Sequence, residues 1–206
     1  MDGCSGYVVC RYICYFSASL ADSDKHSIGV AVSSSPWGPF TDTGGPIVEH
    51  SWNCVACYID PSYFRDPETG KHYLLWKGDT LVQATLLQPW YLLTRHNLQL
   101  PISPSVIYIQ ELDKEGVAFK EGSEPESILW TDRCSWPASC CSVARLCVRI
   151  SEKLIVEGPW LMHRASRYYL FYSSSWVTSP SYKVEVAVAD SVTGHYVKGD
   201  TPVIQA

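Results

Sequence analysis

Three segments of the sequence repeat one pattern, and this repetition limits the available folds more than any other feature. The first is RYICYFSASLADSDKHSIGVAVSSSPWGPFTDTGGPIV. The second is KHYLLWKGD and, after a gap, SVIYIQELDKEGVAFKEGSEPESIL. The third is RYYLFYSSSWVTSPSYKVEVAVADSVTGHYVKGDTPVI. In each, a basic residue and Tyr open an aromatic strand, and a Ser- or Gly-bearing loop follows. An alternating strand comes next (SIGVAVS, SVIYIQEL, YKVEVAVAD), then a Gly turn and a short strand ending in Ile. Tyr12 and Ile47 stand 35 residues apart, as do Tyr169 and Ile204, whereas Tyr73 and Ile128 stand 55 apart. Period-two alternation with β-branched and aromatic enrichment reads as strand. Multi-strand units that cannot bury a face alone must stack, which predicts an all-β fold of the β-propeller type.

The chain of 206 residues is read as one partial propeller domain, with blade-like repeats near 1–50, 51–132 and 155–206. Two stretches, about 80–104 and 133–154, interrupt copies that otherwise match. They are expected to be poorly ordered, as surface loops or as sequence foreign to the fold.

Composition removes several function classes. A net charge of −5 without a basic block argues against a nucleic-acid surface. The longest apolar stretch, LVQATLLQPWYLLTRHNLQL, is broken by Pro89, Arg95 and His96, so no membrane partner is expected. Nine cysteines include the pair Cys54 and Cys57 and the cluster Cys134, Cys140, Cys141 and Cys147. A structural zinc site needs a second well-spaced pair, which is missing, and a redox C-x-x-C needs a βα context. Free thiols are the expectation. No Ser-His-Asp arrangement, phosphate loop or dinucleotide fingerprint is present.

Two carboxylates stand out. Asp60, in YIDPSYFRDPETGKHYLLWKGD, lies 13 residues before Tyr73, and Glu157, in IVEGPWLMHR, lies 12 before Tyr169. Each is followed within two residues by Pro, which suits a strand start or edge. Acids on the channel-lining strands of neighbouring blades would share a field, and partial burial would keep a proton on the pair near neutral pH. That is the preparation a general acid needs. Read singly, Asp60 is a turn residue before Pro and Glu157 an ion-paired edge residue; the matched offsets favour the catalytic reading. Asp66 and Glu68 need only a hairpin role around Pro67 and Gly70. Trp160, beside Glu157, is a candidate channel-wall residue for stacking on sugar, while Trp76 reads as core. Trp52 and Trp176 also sit near the motifs, and His26 reads as a solvated loop residue.

The run SASLADSDKHSIGVAVSSSPWGPFTD, then IDPSYFRDPETGKHYLLWKGD, then IVEGPWLM, resembles glycoside hydrolase family 43, which holds arabinanases, α-L-arabinofuranosidases and β-xylosidases on a five-bladed β-propeller. The resemblance implies that Glu157 is the general acid that protonates the leaving sugar oxygen. It implies that Asp60 modulates the pKa of that acid and orients it. It also implies an inverting mechanism, with a further Asp as the base that activates water, and a carbohydrate partner of the arabinan or xylan type. The chain departs from the family pattern at both ends. The family's base precedes the segment like SIGVAVSSSPWGPF, where only Asp2 stands, outside any Asp-Pro frame, and the base is not assigned to it. The resemblance covers about three blades of five, so weak or absent turnover is expected. No His matches the family's axial position, so neither a metal nor another cofactor is expected. Family membership suggests secretion, although no signal peptide is read. The rival reading is a non-catalytic carbohydrate-binding or interaction propeller fragment.

Overall fold

A computed structural model describes residues 11–19, 21–23, 25–50, 58–79, 105–131 and 155–205. All described regular structure is strand, in three antiparallel sheets. Sheet 1 is β1 (Tyr12–Ser19), β2 (His26–Ser33) and β3 (Thr41–Val48), in that order. Sheet 2 is β4 (Tyr58–Arg65), β5 (His72–Asp79), β6 (Ser105–Glu111) and β7 (Glu126–Trp130). Sheet 3 is β8 (Val156–Arg164), β9 (Arg167–Ser174), β10 (Lys183–Ala189) and β11 (Val197–Lys198), and β12 (Ile204–Gln205) also pairs with β10. The aromatic strands that open the three repeats are β1, β5 and β9. The two acids therefore sit one strand earlier, on β4 and β8, the edge strands of sheets 2 and 3. The interrupting stretches and the cysteines at 54, 57, 134, 140, 141 and 147 lie outside the described residues; Cys14, on β1, is an exposed free thiol.

Local chemistry sets the hairpins. Ala165 and Ser166 both have positive φ, 50° and 57°, between the paired Arg164 and Arg167. This is the two-residue turn whose twist matches antiparallel strands. Between β4 and β5, the Asp66 carbonyl accepts the Gly70 N–H at 2.8 Å, and Gly70 takes a left-handed φ of 73° that glycine adopts at least cost.

The strand period explains how the sheets stack. On β5, Tyr73 and Leu75 join one apolar cluster with Ile107, Ile109, Val156, Leu161 and Leu170. Leu74 and Trp76 join the other, with Ile28 and Leu112, and Tyr15, Ile47 and Tyr108 pack against it. Sheet 2 is thus buried on both faces, between sheet 3 and sheet 1, which is why HYLLWKGD is nearly continuously buried and its YLLW run is apolar without alternation. Trp76 packs with Tyr108 and Phe119, each ring centroid 5.7 Å away, as its sequence context suggested. Gly78 admits Tyr58 and Tyr108 over the strand; a Cβ there would come within 2.7 Å of the Tyr108 ring. A buried Ser105 hydroxyl accepts the Val156 N–H at 2.6 Å and ties β8 to β6.

Asp66 does more than turn a hairpin. It is fully buried, and its carboxylate accepts the Thr69 hydroxyl, the Glu68 N–H and, from sheet 3, the Tyr168 hydroxyl at 2.9 Å. Burial works against the charge, but these hydrogen bonds prevail and hold the carboxyl below its usual range. Burial first, and then the same contact with Asp66, push the Tyr168 phenol up.

Replacing Leu74 or Leu75 by Ala should each lower stability by about 2–5 kcal/mol in urea unfolding, although the two side chains face different clusters. The lowered Asp66 carboxyl contributes stability that is present above the unfolded value near about pH 4 and lost as pH falls through the lower folded value. Asp66→Asn should therefore reduce stability at pH 7 and narrow the gap between urea midpoints at pH 7 and pH 3.

Candidate active site

β4 and β8 pack against each other where sheets 2 and 3 meet, and both strands are bulged there. On β4, Ile59 faces Lys77 and Ser62 faces Leu75, so three steps oppose two. On β8, Glu157 faces Ser173 and Trp160 faces Phe171, the same extra residue. Each bulge contains a Pro and a residue of positive φ, Asp60 at 57° and Gly158 at 58°. Such bulges redirect side chains.

This alignment refines the matched offsets. Asp60 is the counterpart of Gly158 in the paired bulges, and Glu157 is the counterpart of Ile59. The two acids are one position out of phase in their bulges, and the unequal hairpins that follow, closed by Arg65 and His72 and by Arg164 and Arg167, are what bring their offsets to Tyr73 and Tyr169 close to equal. The contact is nevertheless direct: Asp60 Oδ2 accepts the Gly158 N–H at 2.9 Å, at the peptide that follows Glu157.

Glu157 is largely shielded, with 20% of its side chain exposed. Its Oε1 accepts the Tyr182 hydroxyl at 2.8 Å, and its Oε2 lies 4.0 Å from Lys77 Nζ. Lys77 is buried on β5 and pairs with Asp79, at 3.2 Å to Oδ1 and 3.4 Å to Oδ2. The Tyr182 phenol is raised above its ordinary value, first by burial. A hydrogen bond with Ser173 works the other way, and the Glu157 hydrogen bond and the charges of Glu157 and Asp60 add to the rise. A carboxyl held on one oxygen, with a second carboxylate bonded to the next peptide, can bind an oxygen substituent and exchange a proton with it.

Trp160 follows the β8 bulge, 54% exposed, with its ring 5.7 Å from Phe171. Trp176 is exposed in the loop after β9, and Trp52 lies outside the described residues. His26 is not a solvated loop residue: it opens β2 opposite Ser19 and is half-buried, because the strand begins earlier than the Ser-Asp-Lys run suggests. Glu68 reaches β8, with its carboxylate 2.9 Å from His163 Nε2. Among the described residues no group of three or more His, Cys, Asp or Glu is placed to hold a metal. A cleft of about 310 Å³ on sheet 1, lined among others by Phe16, Lys25, Asp42 and His50, shares no residue with the acid pair. Sequence reasoning missed Lys77 and Tyr182. A lysine inside LLWKGD was a legible sign of a buried partner, whereas nothing in SPSYK marks Tyr182.

Solved structures place this architecture among the β-propellers. A thermostable family-43 glycoside hydrolase superposes with a TM-score of 0.67 at 23% identity, over 95% of this chain and 52% of that one. The Cellvibrio cellulosa α-L-arabinanase complexed with arabinohexaose superposes with a TM-score of 0.57 at 19% identity, over 90% of this chain and 51% of that one. The family model of the glycosyl hydrolases family 43 matches residues 6–205, and the chain belongs to that family. A probable arabinan endo-1,5-α-L-arabinosidase D of Emericella nidulans is 28% identical over 176 residues, covering 73% of this chain and 43% of that protein. The chain thus spans about half the length of these relatives.

Gly158 has open space at its Cβ position, the nearest atom being the Ser173 hydroxyl at 3.9 Å, but its φ of 58° is unfavourable to other residues. Gly158→Ala should therefore cost about 1–2 kcal/mol in urea unfolding through backbone strain alone.

Proposed function

We propose that this chain carries the acid side of an inverting glycosidase that cleaves arabinose-containing polysaccharides, on three blades of a five-bladed propeller. The observation that carries the reading is the 2.9 Å hydrogen bond from Gly158 N–H to Asp60, which joins one acid to the peptide beside the other. Glu157 is the general acid: its proton passes to the glycosidic oxygen as the bond to the anomeric carbon breaks. Asp60 is the modulator: its nearby negative charge disfavours ionisation of Glu157 and so keeps the proton in place. Trp160 offers an exposed ring for a sugar face. The carboxylate that activates water is not assigned among the described residues. Arabinose is favoured over xylose because two of the similar proteins, the fungal arabinosidase and the Cellvibrio enzyme, are named for arabinan.

General-acid catalysis matters most for poor leaving groups. Glu157→Ala should lower turnover of an arabino-oligosaccharide by about 10²–10⁴-fold. Its effect on 4-nitrophenyl α-L-arabinofuranoside, whose leaving group needs no proton, should be much smaller, and wild-type turnover of the matching β-D-xyloside should be weaker. Asp60→Asn should move the alkaline limb of the pH–rate profile to lower pH. Equal losses on both substrates in Glu157→Ala would contradict the proposal, and a folded wild-type chain that binds an arabino-oligosaccharide without turning it over would favour the non-catalytic carbohydrate-binding reading.

A further inference from the structure

The geometry points to Tyr182 as a positioning residue for Glu157, one that decides which carboxyl oxygen holds the transferable proton; this rests on Glu157 being the acid. The Tyr182 hydroxyl donates to Oε1 at 2.8 Å. In a neutral carboxyl group the oxygen that accepts such a bond is the carbonyl oxygen, so the proton sits on Oε2. The phenol remains a donor throughout, because burial and the neighbouring carboxylates hold it above its ordinary value.

Oε2 is free to act. Lys77 Nζ, 4.0 Å away, lies beyond hydrogen-bond distance and is paired with Asp79. That partner, Asp79, meets the lysine charge at 3.2 Å. The groups facing Glu157 are therefore Asp60 from β4, Lys77 with Asp79 from β5, and Tyr182 ahead of β10.

The loop before β10 holds Tyr182 in place. Its N–H donates to the Ser179 carbonyl at 3.0 Å, and the Ser179 N–H donates to the Trp176 carbonyl at 2.8 Å. Ser181 hydrogen-bonds through its hydroxyl to Ser175 at 3.0 Å and to Ser179 at 2.7 Å. The next residue, Lys183, is already paired with Ser174 in the sheet. During reaction the Oε2–H bond breaks and its proton goes to the leaving oxygen, which keeps the electron pair of the broken glycosidic bond. The carboxylate left behind is negative, and the Tyr182 bond to it strengthens as that charge develops.

The test is a pH titration of ¹³C-glutamate-labelled chain, with the Glu157 signal assigned by its loss in Glu157→Gln. Tyr182→Phe removes a donor that favours the charged form, so the Glu157 midpoint should rise by about one pH unit. On an arabino-oligosaccharide, kcat should fall about tenfold, with KM changed by less than about twofold. An unchanged midpoint in a variant with an otherwise wild-type spectrum would overturn the assignment. If the variant does not fold, the wild-type chain decides: a Tyr182 hydroxyl proton exchanging slowly with solvent supports the bond, and rapid exchange overturns it. A wild-type chain without turnover would favour the non-catalytic reading of the whole chain, and the titration would still decide the role of Tyr182.

Discussion

The hydrogen bond from the Gly158 N–H to Asp60 joins two bulged strands from different sheets, and the geometry around both acids depends on it. A bulge leaves one residue out of the ladder, so its backbone groups need partners elsewhere. Here the unpaired N–H of one bulge meets the carboxylate of the other. The left-handed backbone of Asp60 is unusual for a residue with a side chain, though Asp tolerates it better than most. Strain of this kind persists only when its surroundings hold it. Sheet 2, packed on both faces, supplies that support.

The surroundings of Glu157 divide its two oxygens between different tasks. Oε1 is taken by Tyr182, while Oε2 faces a lysine whose charge is met by Asp79. A lone cation at that place would favour the carboxylate, whereas the general-acid role proposed for Glu157 calls for the neutral form. The ion pair provides charge nearby without that cost.

Much of the fold was legible in the sequence because strand chemistry repeats. The alternating runs SIGVAVS, SVIYIQEL and YKVEVAVAD became β2, β6 and β10, each paired with the aromatic strand that opens its repeat. Two features were harder to read. The one-residue phase difference between Asp60 and Glu157 shows only in the register of the bulges, and a bulge has no sequence period; the Pro residues hinted at an interruption without giving its register. Tyr182 reaches Glu157 across 25 residues through the path of a serine-rich loop, which no local pattern encodes. Asp66 looked like a turn residue because its hairpin partners are local, whereas its bond to Tyr168 spans 102 positions.

The most direct test of the account is a crystal structure of the Glu157→Gln chain with an arabino-oligosaccharide bound. The account predicts a glycosidic oxygen within hydrogen-bond reach of the residue 157 side chain, about 2.6–3.2 Å, with Asp60 still bonded to the Gly158 N–H. An oligosaccharide seated away from the β4–β8 bulges, or a residue 157 side chain turned from its glycosidic oxygen, would contradict it.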